Sequence, residues 1–203
     1  MNQPKSIFPV ALVFSIILIS SAVSFGQQKV EPSFDVSLQV VIGSNDATQR
    51  SDLPANLSAI SKQLKSNFTF SNYRVASTLL GRISDSGTFE YKSVSNILGL
   101  ESGGGSPTFL EWTVANLRSM PNAKGQSGFQ AQVFRFGARV PVIAANFKDE
   151  AVKSNPVVNY EQIGLSFSKV GLAENVPTLL GTLSLPGTTG TIFLVITIRS
   201  ADQ

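Results

Sequence analysis

The sequence predicts an α+β, β-rich fold: a β-α-β-β start with one helix packed on a mostly antiparallel sheet, then a sandwich-like C-terminal half. Three observations carry this prediction. Phe34, Val36, Leu38, Val40 and Ile42 recur at every second position, the period of a half-buried strand. After residue 26, only the stretch 54–66 repeats its apolar residues at helical spacing. The remaining apolar runs are divided by short segments rich in Gly, Pro, Ser and Asn, and short turns favour antiparallel pairing.

Each element has its own signal. The first strand ends at Gly43-Ser44-Asn45-Asp46. Ser51-Asp52-Leu53-Pro54 then opens a helix over about 54–66, because a small polar residue ahead of an early Pro marks a helix start. Leu53, Leu57, Ile60 and Leu64 form its apolar face, and Lys62 and Lys65 suit the dipole at its C-terminal end. Phe68 to Ile83 reads as extended, with Asp85-Ser86-Gly87 as a turn and 88–94 as a return strand, so the two make a hairpin. Since a helix can serve as a crossover, the strands before and after it are candidates for parallel neighbours. Strands follow at 109–117, 129–142, 157–167 and 176–185. The unbroken apolar run Ile192-Phe193-Leu194-Val195-Ile196 suggests a central strand covered on both faces.

Residues 1–26 read as a cleavable signal peptide. Lys5 supplies the positive start, Ile7 to Ile19 the apolar centre, and Ser24-Phe25-Gly26 the small-residue exit, with cleavage after Gly26. The alternative is an uncleaved anchor, but a spanning helix needs about 20 apolar residues and Ser20-Ser21 interrupts this run earlier. No cysteine stands near the exit, so lipid attachment there is not expected. The expected mature chain is one β-rich domain over 27–203, with a subdivision near 101–107 left open. Its location is then the periplasm or the exterior, with no stable membrane span after cleavage.

Composition excludes several classes of chemistry. The chain has no Cys and no His, which removes disulfide staples, Ser-His-Asp and Cys-His catalysis, and soft-metal sites. Only an oxygen-ligated cation such as calcium stays open. Charged residues are 14% of the chain, and Lys and Arg are scattered singly, so no basic patch for nucleic acid forms. No cofactor is expected.

Several residue groups stand as site candidates beside a plainer reading. Ser102-Gly103-Gly104-Gly105-Ser106 lacks the Gly-Lys-Ser/Thr ending of a phosphate loop and reads as a linker. Asp149-Glu150 and the pair Glu90 and Glu111 could host acid–base chemistry, or could simply be solvated. Trp112, Phe129, Phe134 and Phe136, with Phe109, form a candidate ligand-contact strip, although large aromatics on strands usually face inward. Thr78-Leu79-Leu80-Gly81 recurs as Thr178-Leu179-Leu180-Gly181, either a faint internal repeat or chance. Asn56 and Asn67 fit the glycosylation acceptor pattern.

The segment Val176-Pro177-Thr178-Leu179-Leu180-Gly181, with Leu185-Pro186-Gly187 and the strand Ile192 to Ile198, resembles the end of the secretin domain of bacterial secretion pores. The stretch from Leu57 to Tyr91 is similar in style to exported bacterial proteins with the β-α-β start of ring-forming secretin periplasmic domains. The chain has neither the several N-terminal modules nor the length of a pore subunit. What the resemblance implies is a small envelope protein that packs beside such a machine.

The functional expectation is an exported cell-envelope structural or protein-interaction module without catalytic activity, with an envelope protein or a second copy as partner. Exposed strand edges would recruit partners by strand addition. A periplasmic or secreted ligand-binding β domain is the alternative. A small outer-membrane barrel is third, because a helix at 54–66 does not belong in a small barrel wall.

Overall fold

The structure is a computed structural model, and it describes residues 31–46, 53–95, 106–121, 125, 127–145, 157–184 and 190–201. The apolar N-terminal segment with Gly26, the glycine run 102–105 and Asp149-Glu150 lie outside the described residues.

From Pro32 onward the described chain forms one compact unit. Its elements are β1 (Ser33–Ser44), a short 3-10 turn (Ala55–Leu57) leading into α1 (Ser58–Asn67), β2 (Asn72–Ser84), β3 (Thr88–Ser95), β4 (Thr108–Ser119), β5 (Gly128–Ala145), β6 (Val157–Ala173), β7 (Thr178–Ser184) and β8 (Thr191–Ser200). The strands make two four-stranded sheets, β2-β1-β8-β7 (sheet A) and β3-β4-β5-β6 (sheet B). Every pairing within them is antiparallel. This is a β-rich sandwich with one helix, the α+β class that the alternation and the single helical stretch predict.

Two local expectations are corrected. β1 and β2 are neighbours but run antiparallel, with Phe34 opposite Ile83 and Ile42 opposite Arg74. The helix therefore turns the chain back along sheet A and does not cross it over. The turn Asp85-Ser86-Gly87 does not close a hairpin either, because β2 lies in sheet A and β3 in sheet B. That corner is instead pinned to β4: Ser86 N–H donates to Leu117 O at 2.7 Å and Asn116 N–H donates to Gly87 O at 2.8 Å. Ser86 and Asn116 both take positive φ, at 58° and 51°, to present these groups.

The sandwich interior is filled by the alternating residues of both sheets. Sheet A contributes Phe34, Val36, Leu38, Val40, Ile192, Leu194, Ile196 and Ile198, and sheet B contributes Leu110, Trp112, Val114, Phe134 and Phe136, among others. A second cluster lies on the other side of sheet A. There Leu57, Ile60 and Leu64 of the helical segment pack on Val41, Tyr73, Phe193 and Val195. β8 sits between β1 and β7 and is buried from Ile192 to Ile196. Its unbroken apolar run is thus explained: alternate residues serve the interior and the helix.

Tyr73 ties the helix to the sheet. Its hydroxyl lies 3.2 Å from Leu64 O, which also accepts the Phe68 N–H, and 3.3 Å from Phe68 O, both at the C-terminal end of α1. Burial pushes its phenol pKa up, which keeps the donor proton in place.

Thr78–Gly81 and Thr178–Gly181 fall on β2 and β7, the two outer strands of sheet A. Each glycine receives a sheet B aromatic. A Cβ at Gly81 would stand 2.5 Å from Phe89 Cζ, and one at Gly181 would stand 3.1 Å from Phe167 Cζ. The repeated Leu-Leu-Gly thus does the same packing job at both edges of the sandwich.

Candidate functional site: the bare face of sheet B

The helix covers part of the outer face of sheet A. Among the described residues nothing comparable lies on the outer face of sheet B, and its side chains are set by strand parity. In β3, Phe89 and Tyr91 pack against the interior cluster while Glu90, Lys92 and Val94 are exposed. In β4, Leu110, Trp112 and Val114 are buried while Phe109 and Glu111 are exposed. In β5, Phe134, Phe136 and Ala138 are buried while Arg135 and Arg139 are exposed.

The strand register arranges the outward residues in rows. One row runs Glu90, Thr113, Arg135, Ser166; the next Lys92, Glu111, Gly137, Gly164; the third Val94, Phe109, Arg139, Gln162. Tyr160, opposite Pro141, lies beyond the third row. The middle row dips, because two strands present glycine side by side. Glu111 leans into the space over Gly137, where an added Cβ would meet its Oε1 at 3.1 Å. Two adjoining hollows result, of about 220 and 470 Å³, both lined by Glu111, Gly137 and Gln162.

One end of this face is apolar. Val94 is 61% exposed, Phe109 38% and Tyr160 43%, and the two rings meet at 5.6 Å. Arg139 stacks its guanidinium 5.8 Å from the Phe109 ring, a cation–π contact. Among the described residues no carboxylate lies within ion-pair distance of Arg135 or Arg139. Glu90 takes up Lys92 at 2.7 Å, and that hydrogen bond and charge raise the ammonium's pKa.

The positions singled out from sequence separate clearly. Trp112, Phe129, Phe134 and Phe136 are all buried, at 4% exposure or less, and belong to the interior. As ligand contacts they are corrected to packing. Strand parity turns Trp112, Phe134 and Phe136 inward, and an irregularity in the pairing around Gln132 brings Phe129 to the same side despite its opposite parity. Trp112 packs 4.9 Å from Phe89 and 6.5 Å from Phe134, and its indole N–H has no hydrogen-bond partner among the described residues. Of the aromatic strip only Phe109 faces out. Glu90 and Glu111 stand on neighbouring strands of an open, wet face, where neither is shielded from water. Asn56 and Asn67 are exposed on the helical segment. Among the described residues no three metal-ligating side chains come together. Sequence reasoning passed over Arg135, Arg139, Tyr160 and the Gly137–Gly164 dip. Parity within Phe134-Arg135-Phe136 could have exposed the first.

No protein-family model matches the chain, and no curated protein matches it. Several solved structures do. The chain aligns over 96% of its length with 43% of a chain of the Klebsiella pneumoniae type II secretion system outer membrane complex of PulD, PulS and PulC HR domain, at 9% identity and a TM-score of 0.43. It aligns over 96% with 66% of the V. cholerae type IV competence pilus secretin PilQ, at 10% identity and 0.39. For the type II secretin GspD of enteropathogenic Escherichia coli the figures are 95% and 75%, at 10% identity and 0.37. Secretins, the family that the segment 176–198 resembles, are thus among the structures this chain is similar to. It spans less than half the length of the first of them.

Proposed function

We propose that this protein is a non-catalytic module of the bacterial envelope that works by protein–protein contact through the outer face of sheet B. The observation that carries this reading is the contrast between the two outer faces. Sheet A has its own helix buried on it; sheet B presents Val94, Phe109 and Tyr160 beside Arg135 and Arg139 with no cover among the described residues. Exposed aromatics and arginines are the residue types that anchor protein interfaces. Charge complementarity defines the partner: an apolar side chain for the Phe109–Tyr160 end and carboxylates for the two arginines. The envelope location rests on the sequence of residues 1–26, read as an export signal removed after Gly26.

Site-specific photocrosslinking in cells tests the reading. A photoreactive residue at Phe109 or Tyr160 is expected to give one discrete adduct, and the same residue at exposed Lys62 on α1 none. The double variant R135E/R139E, checked for its fold by circular dichroism, is expected to lose the adduct. Twice the chain's mass would identify a second copy as the partner. Absence of any adduct, or one that persists in R135E/R139E, would overturn the proposal.

A further inference from the structure

Sheet A carries a second polar feature, independent of the sheet B reading. Beyond the helix, its outer face has one row of three charges: Arg82 on β2, Asp35 on β1 and Arg199 on β8, directly opposite one another. Arg82 Nε donates to Asp35 Oδ1 at 2.8 Å, and Arg199 Nη2 approaches Asp35 Oδ2 at 3.3 Å. One carboxylate therefore holds two guanidiniums. No other carboxylate among the described residues is within ion-pair distance of either, which leaves a surplus of one positive charge.

A guanidinium has five N–H donors and each here gives only part of its fork to Asp35. Both arginines are exposed, so the remaining donors face outward. The next row toward the helix is Leu80, Ser37 and Thr197, which adds two hydroxyls. Asn56, from the 3-10 turn, closes the helix side. Together with Asp35 and Arg199 these residues line a hollow of about 340 Å³. Leu80 lies at its margin and is 70% exposed, which is unusual for a leucine on an otherwise polar row.

The geometry points to an oxyanion-binding site in this hollow, for a carboxylate or phosphate carried on an apolar group. The oxyanion meets the free N–H groups of Arg199, which lines the hollow, and Arg82 adds its charge from the other side of Asp35; charge-assisted hydrogen bonds are the strong kind. Its apolar stem lies against Leu80. Asp35 takes up part of the donor capacity and charge of both arginines, so it competes with the oxyanion for them. The arginines in turn lower its own pKa, chiefly through the Arg82 hydrogen bond, so it stays ionised at neutral pH.

Titration calorimetry on the full chain tests this, with octanoate, acetate, octyl phosphate and inorganic phosphate as probes. Saturable octanoate or octyl phosphate binding is expected, tighter than that of acetate or inorganic phosphate respectively. The better of the two tailed probes identifies the headgroup. R199Q is expected to weaken binding about tenfold, and R118Q on β4 to leave it unchanged. D35N removes the competing carboxylate and is expected to tighten binding. L80S is expected to abolish the preference for the tailed probes. Lack of saturation by 10 mM of any probe would overturn the assignment, as would equal effects of R199Q and R118Q, or weaker binding in D35N. The crosslinking outcome at Phe109 is unaffected either way.

Discussion

Substitution of Gly81 by alanine puts the packing of the two sheets to a direct test. A Cβ there would lie 2.5, 2.6 and 2.9 Å from three atoms of the Phe89 ring. Carbon atoms pack at about 3.5–4.0 Å, so the ring must retreat by roughly 1 Å. Phe89 has little room to do so, because it packs 4.9 Å from the buried Trp112. Overpacking of this kind costs about 1–3 kcal/mol. Gly181→Ala meets Leu165 Cδ2 and Phe167 Cζ at 3.1 Å, both on partly buried side chains near the edge, and should cost less than Gly81→Ala. Urea unfolding at fixed pH gives both values. In the double variant Gly81→Ala/Phe89→Ala the new methyl fills part of the space the ring leaves. The two changes should then cost at least about 0.5 kcal/mol less together than the sum of the singles. Strict additivity, or a Gly81→Ala cost no larger than that of Gly181→Ala, would refute the reasoning.

Three further outcomes follow from the same contacts. Tyr73→Phe removes the hydroxyl at Leu64 O and Phe68 O and should cost about 1 kcal/mol, with faster amide exchange confined to α1. Phe134→Ala opens the interior beside Trp112 and should cost about 3–5 kcal/mol by chemical denaturation, whereas Phe109→Ala on the outer face should cost under about 1 kcal/mol. Asp35 and Glu174 both have lowered pKa values, through the Arg82 hydrogen bond and through those from Ser200 respectively. A carboxylate with a depressed folded pKa adds stability above its unfolded value, near 3.8 for Asp and 4.5 for Glu, and that stability is lost as pH falls through the folded value. The melting temperature should therefore fall below about pH 4.5, and D35N/E174Q should flatten that fall.

Strand positions were legible because burial imposes a period of two. The first half of β1 and the run of β8 show the two outcomes side by side: alternation where one face is wet, and an unbroken run where both faces are covered. Pairing was less legible. A helix between two strands reads equally as a crossover or a return, and the residues from Leu53 to Phe70 do not distinguish them. A three-residue turn such as Asp85-Ser86-Gly87 reads as a hairpin unless the sheet assignment of each strand is known. Parity also explains the aromatic strip. Trp112 and Phe109 are three residues apart and so face opposite sides of β4, and counting by twos from buried Leu110 separates them. The dip at Gly137 and Gly164 could not be read, since the two glycines become neighbours only through the register of β5 on β6. The Arg82-Asp35-Arg199 row was hidden for the same reason.

The pairing of β1 with β8 has a consequence for how the chain comes to be folded. Phe34 finds its partner at Ser200 and Ile42 at Ile192, so the first strand of the domain waits for the last. Nearly the whole domain must be synthesised before sheet A can close, and non-local pairings of this kind slow folding. Until then β1 has only β2 beside it in sheet A, and the edge that β8 will fill stays open. Sheet B, built from four consecutive strands, has no such wait, so the two halves of the sandwich close at different times.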